Sequence, residues 1–293
     1  MQLHGNARRT WYLGNAPFRA RRAPGRGVGD APPMDFPAPA PTPAAETFSW
    51  PRVPRTLPAG RGLAWWREGW RIFTAAPAIW VGIVVVLFLV FAVISAVPIV
   101  GGVAQSVLWP VFSAGLVRGC HELARGRPLV FAALFDGFRG DRFGPLAILG
   151  LAALACGVVL ALIAMMSMLG AAGASGVAAL VATDPQVAFA TAMTSAGFAA
   201  LAIVPLLLIV ATVFAMAWWF APALVVLNRA EPVAALRASF DASWRNLGAL
   251  TVFGLAFLGL AVVASAPFGL GWLVLAPVAT GAGYASWREI FGD

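Results

Sequence analysis

The chain of 293 residues is 60% hydrophobic and 11% charged, against about 45–50% and about 25% in soluble domains, which excludes an ordinary soluble globule. All 20 basic residues are Arg and the formal charge is +8, but the excess is local: residues 1–62 hold nine Arg and three acids (+6), residues 63–293 eleven Arg and nine acids (+2). A basic tail with no aromatic–basic alternation on a soluble face excludes a nucleic-acid-binding domain, and the two cysteines, Cys120 and Cys156, set no disulfide framework.

Residues 1–62 are rich in Pro, Arg, Ala and Gly and carry no apolar period, so a disordered tail is expected. Arg8-Arg9-Thr10-Trp11 resembles the start of a twin-arginine export signal, but no apolar segment follows at the needed distance. Met34-Asp35-Phe36-Pro37 offers an alternative translation start.

Residues 63–293 form the expected membrane domain. A crossing helix needs about 20 apolar residues, since the hydrocarbon layer is about 30 Å thick and a helix rises about 1.5 Å per residue. Four runs lack Arg, Asp, Glu and His: residues 72–117, 143–183, 185–228 and 246–287. The first breaks at Pro98-Ile99-Val100-Gly101-Gly102 and the last at Ala266-Pro267-Phe268-Gly269. These breaks predict an all-α membrane protein of six transmembrane helices in three hairpins, with spans over 78–97, 103–119, 145–169, 198–227, 247–265 and 270–286. Residues 170–197 are less apolar and fit a re-entrant or interfacial helix. All eleven arginines of the body fall on one side of this plan, and the other connections carry only Asp184. Positive charge marks the cytoplasmic side, so both termini are expected in the cytoplasm of a bacterial inner-membrane protein.

A threefold plan underlies the spans. Each odd span follows an amphipathic stretch ending in an aromatic–Arg pair with an acid three or four residues before the Arg: Glu68-Gly69-Trp70-Arg71, Asp136-Gly137-Phe138-Arg139 and Asp241-Ala242-Ser243-Trp244-Arg245. That spacing puts acid and Arg on one helix face. On the helical wheel Trp66, Trp70 and Phe73 oppose Arg67 and Arg71, and Val233, Leu236, Phe240 and Trp244 line one face of the third stretch. Such helices lie in the interface plane, so Trp70, Arg71, Phe138, Arg139, Trp244 and Arg245 are the candidate lipid or helix contacts. Each even span carries a proline, Pro110, Pro222 or Pro277, which removes a backbone donor and is expected to kink it. The carbonyl thereby freed must be satisfied inside the bundle.

The segments Gly62-Leu63-Ala64-Trp65-Trp66-Arg67-Glu68-Gly69-Trp70-Arg71, Trp219-Phe220-Ala221-Pro222, Ser239-Phe240-Asp241-Ala242-Ser243-Trp244-Arg245-Asn246 and Tyr284-Ala285-Ser286-Trp287-Arg288-Glu289 carry a resemblance. Over about residues 62–291 the chain resembles the YciC-like bacterial integral membrane proteins, relatives of the membrane domain of some glycerophosphodiester phosphodiesterases. The resemblance implies an architecture. It does not extend to the phosphodiesterase domain, so it implies no catalytic residue.

No enzymatic constellation emerges. His4 lies in the tail and His121 beside Glu122 in a loop, so no His pair serves a metal or acid–base chemistry. No catalytic, cofactor or metal residue is assigned. None of the six spans holds an ionisable residue between its ends; Gln105 is the most polar group, which argues against ion-coupled transport. Gly115-xxx-Gly119 and Gly281-xxx-Ala285 are close-packing patterns, read first as contacts within the chain. The expected partners are membrane lipids, with self-association or a membrane partner as further options and no nucleic acid. Two functions follow: a non-enzymatic protein that organises lipid or a membrane partner, or an uncoupled transporter or channel for a small apolar or weakly polar solute. A closed apolar bundle would favour the first, a water-filled cavity among the even helices the second.

Overall fold

The computed structural model describes residues 53–181, 184–266 and 268–292, and among them all regular structure is helical. The first unit comprises α1 (Arg61–Ala75), α2 (Pro77–Ser95) and α3 (Val100–Ala124). A 3-10 helix, Phe131–Phe138, and a single 3-10 turn, Gly140–Arg142, lead into α4 (Phe143–Val181), α5 (Pro185–Trp218) and the short α6 (Ala221–Leu227). The third unit is α7 (Pro232–Arg245), α8 (Leu247–Ser265) and α9 (Trp272–Phe291). Five segments are long and apolar enough to cross a membrane: Pro77–Ser95, Val100–Ala124, Gly140–Gly173, Ile203–Leu227 and Leu247–Ser265.

Several boundaries differ from the sequence expectation. Residues 170–181 continue α4 and 185–197 begin α5, so among the described residues no separate helix stands between the two. Ala, Gly and Ser lower hydropathy there without breaking a helix. Asp184 caps α5 by accepting the Gln186 N–H at 2.7 Å, and Pro185 occupies the first turn, where its missing donor costs nothing. With 39 residues at about 1.5 Å each, α4 is far longer than the expected span 145–169, whereas α5, with 34, is little longer than the expected 198–227 but begins 13 residues earlier and ends at Trp218. The interfacial element of the second unit is a 3-10 helix rather than an α-helix. The sixth expected span, 270–286, is the helix α9, but it runs on to Phe291 and is heavily enclosed, burying Leu275, Val278, Tyr284, Trp287 and Ile290 among others. Its Gly, Ser and charged residues keep it out of the apolar set.

Pro110 and Pro277 lie inside α3 and α9 as expected. Pro222 does not kink a continuous helix. The chain breaks at Trp219-Phe220 and Pro222 sits in the first turn of α6, while α5 carries its own interior proline, Pro205. Two buried serines of α7 repair the break: the Phe220 N–H donates to Ser239 Oγ at 2.9 Å, and Ser239 and Ser243 donate to the Met216 carbonyl at 2.8 and 3.0 Å. In hydrocarbon these backbone groups have no water to turn to.

Part of the tail expected to be disordered through residue 62 is ordered. Residues 1–52 lie outside the described residues, but 53–60 form a strap held by Asn246, which is 1% exposed. Asn246 Oδ1 accepts the Leu57 N–H at 2.9 Å, and its Nδ2 donates to the carbonyls of Arg55 and Ala242, both at 2.9 Å. The Arg55 N–H donates to the Ile290 carbonyl at 2.8 Å. Asn246→Ala should strip the strap of two bonds, at Leu57 and Arg55, and strand those backbone groups. We expect a loss of about 2 kcal/mol or more, measured by thermal unfolding in detergent, with faster tryptic cleavage after Arg55 in the otherwise folded protein.

Candidate functional site: the interfacial motifs and an apolar chamber

The three units interlock in a ring. The interfacial element of each packs on the even helix of the unit before it: α1 on α9, the Phe131–Phe138 helix on α3, and α7 on α5. The glycine of each acid–Gly–aromatic–Arg motif makes the first two contacts. A Cβ on Gly69 would stand 2.3 Å from the Val278 carbonyl oxygen, and one on Gly137 would stand 2.1 Å from that of Val111. Val278 and Val111 each follow the interior proline of their helix. Gly115 of α3 returns the contact, since a Cβ there would meet the Leu134 carbonyl oxygen at 2.4 Å. In the third unit Ser243 takes the glycine's place and bonds the Met216 carbonyl.

This docking turns the following aromatic and Arg outward. Trp70 is 53% exposed and Trp244 62%. Phe138 is less so, because its ring packs on Phe112 at 5.2 Å and Phe143 at 5.9 Å. The buried face of α1 is Gly62, Trp65, Trp66, Gly69, Ile72 and Phe73, so Trp70 does not share a face with Trp66. Arg71 pairs with Glu68, Arg139 with Asp136 at 3.2 Å, and Arg245 with Asp241 through Nε at 3.0 Å to both oxygens. Each pair is local, and exposed pairs of this kind are worth only about 0.3–0.5 kcal/mol.

The arginines that end the even helices reach further. Arg288 of α9 lies 3.3 Å from Glu68, Arg118 of α3 lies 3.9 Å from Asp136, and Arg229 after α6 lies 3.9 Å from Asp141. These links gather arginines of all three units at one end of the bundle.

Toward the other end lies an apolar chamber. A cavity of about 460 Å³ separates α2 and α3 from α8 and α9, walled by Trp80, Phe91, Trp109, Phe257, Trp272 and Pro277 among others. It adjoins a cavity of about 280 Å³ between α3, α6 and α9, and the two share Trp109, Leu116, Ala279 and Thr280. A third, of about 330 Å³, between α5, α8 and α9 also reaches Ala279. The walls of the first carry no acid or histidine; Gln105 and Thr280 are their polar side chains. The Thr280 hydroxyl donates to the Ala276 carbonyl at 2.9 Å, and the Trp80 indole N–H is buried in the wall without a partner.

Sequence reasoning missed the buried polar groups. Ser239, Ser243 and Asn246 serve backbone carbonyls and N–H groups, and Asn228 accepts the Trp287 indole N–H at 3.1 Å; no local pattern reveals these contacts. Gly69 and Gly137 were visible in the motif, and their shared position beside an acid was the available signal. Gly69→Ala and Gly137→Ala should each drive a methyl into a carbonyl and lower thermal stability by about 1–3 kcal/mol. Gly157→Ala in α4, where a Cβ meets open space, should be neutral or gain up to about 1 kcal/mol in the same assay.

Over 224 residues, 74% of this chain, the sequence is 30% identical to a probable inner membrane protein of Burkholderia thailandensis, 79% of which is covered. No family model matches the chain, and no solved structure matches it.

Proposed function

The chain belongs to the family of that Burkholderia inner membrane protein, and from this premise we propose that it is a non-enzymatic protein that organises lipid, housing an acyl chain in the chamber. The chamber carries the reading. The first cavity opens to the surface of the bundle, where Phe88 and Trp109 of its lining are 58% and 47% exposed, so the hydrocarbon of a surrounding bilayer can reach it. Water does not fill it well, because each molecule needs two to four polar partners and the walls present little beyond Gln105 and Thr280. Hydrocarbon fits. From Trp80 to Phe91 the slot follows α2 for about 16 Å at about 1.5 Å per residue, roughly half of the hydrocarbon thickness of about 30 Å: the depth of one leaflet.

In this reading α9 is the sixth span, the arginine-rich end of the bundle is cytoplasmic with both termini, and lipid is the partner. Trp70, Phe138 and Trp244 then sit at the headgroup boundary, with Arg71, Arg139 and Arg245 beside the phosphates. The alternative, uncoupled passage of a small apolar or weakly polar solute, draws on Pro277 and Gln105 in the chamber wall.

Two experiments test these statements. Reporter fusions should place residues near Arg127 and Glu231 in the cytoplasm and Asp184 outside; a cytoplasmic Asp184 ends the six-span reading. Protein purified from membranes should retain at least one equivalent of acyl lipid in native mass spectrometry. Ala279→Trp, which plugs the chamber, should displace it while the protein stays folded. A lipid-free wild type, or solute flux through proteoliposomes that the plug abolishes, would move the assignment to the alternative.

A further inference from the structure

Away from the chamber, the seam between α1 and the last turns of α9 opens into a cleft of about 410 Å³ whose wall is charged. Arg61, Arg67 and Arg71 come from α1 and Arg288 from α9; the acids are Glu68 and Glu289. Four cations thus face two anions, and both anions are already engaged on both oxygens. Glu289 accepts Arg61 Nε on Oε1 at 2.6 Å and the Trp65 indole N–H on Oε2 at 2.7 Å. Glu68 accepts Arg288 on Oε1 at 3.3 Å and Arg71 on Oε2. A guanidinium offers five N–H donors and no acceptor. Once the carboxylates are occupied, the charged side chains of the cleft have mainly donors left to offer. Arg67 is exposed there and forms no ion pair among the described residues.

We propose that this cleft binds the phosphate of an anionic lipid headgroup. A phosphate supplies several acceptor oxygens in the geometry that guanidinium forks match. Free phosphate would share that chemistry, but the outward stripe of α1 favours the lipid. Leu63, Arg67, Trp70 and Arg71 fall at i, i+4, i+7 and i+8, and Leu63 and Trp70 are 54% and 53% exposed. An exposed Leu and Trp flanking two Arg meet the acyl boundary and the phosphate layer together. The trapped glutamates hold the guanidiniums in place at an interface where free arginines would spread. The inference takes its ligand from the lipid-organising reading but does not depend on what fills the chamber, so the Ala279→Trp experiment and the one below fail separately.

The test uses the full chain in nanodiscs of neutral phosphatidylcholine with increasing phosphatidylglycerol, read as thermal stability. Wild-type Tm should rise with the anionic fraction and saturate. Arg67→Gln, which breaks no intramolecular ion pair, should raise the half-saturating fraction about tenfold, the worth of one charge-assisted bond. Arg237→Gln on α7, also exposed, should leave it unchanged. Millimolar inorganic phosphate added to neutral nanodiscs should produce no shift. Equal effects of the two substitutions would reduce the site to bulk surface charge, and stabilisation by inorganic phosphate would assign the cleft to a soluble anion; either overturns the proposal.

Discussion

An α-carbon without a side chain lets two backbones touch, and in this protein that contact falls twice beside a proline. Gly69 lies against the carbonyl after Pro277, and Gly137 against the carbonyl after Pro110. Lipid tails are as apolar as leucine, so apolar burial does little to hold membrane helices together, and close packing of small residues must supply the attraction. The acid–Gly–aromatic–Arg motif therefore does its structural work through its least conspicuous member. The glycine fixes where the interfacial element sits. The aromatic and the Arg, one and two residues on, are carried outward by the helix turn.

The third unit shows what happens when that glycine is absent. Its motif is one residue longer, Asp241-Ala242-Ser243-Trp244-Arg245, and a hydroxyl occupies the docking position. The facing helix is severed at Trp219-Phe220, so that Pro222 falls in the first turn of α6 and not inside α5, whose interior proline is Pro205. A severed helix leaves backbone groups without partners, and Ser239 and Ser243 supply them. The same join is thus made by contact in two units and by hydrogen bonds in the third. This is also why Pro222, alone of the three expected kinks, costs its helix nothing: in a first turn the missing donor is one the helix would not use.

The spans were legible because charge is expensive in hydrocarbon, and α8 runs over the expected 247–265. What failed to show in the sequence failed for physical reasons. Hydropathy records the cost of crossing lipid, not the continuity of a helix, so the Ala- and Gly-rich ends of α4 and α5 read as interruptions although Ala is the strongest helix former. The wheel of α1 groups Trp70 with Trp66, but the helix buries the face that holds Gly62 and Gly69, and Trp70 lies off it. The strap at residues 53–60 depends on one amide, Asn246, some 190 residues away in sequence. No periodicity encodes such a contact. Of the candidate site, the three acid–Arg pairs could be read directly from i, i+3 and i, i+4 spacing; the chamber could not, since a void is a property of packing between helices.

The chamber follows from the same geometry that closes the ring. At the arginine-rich end, glycine contacts pull α1 onto α9 and the Phe131–Phe138 helix onto α3 until backbones meet. Further along, ring pairs stand between or beside the same helices: Phe91 and Trp109 with centroids 5.7 Å apart, Phe257 and Trp272 at 6.0 Å. Helices brought to contact at one end and propped by indole and phenyl rings at the other enclose a wedge. Pro277 lines the cavity, and its ring takes one hydrogen bond out of α9 at that wall. A tighter core would need smaller residues at Trp109 and Trp272, so the space between α2, α3, α8 and α9 is built into the fold by residues at both ends of it.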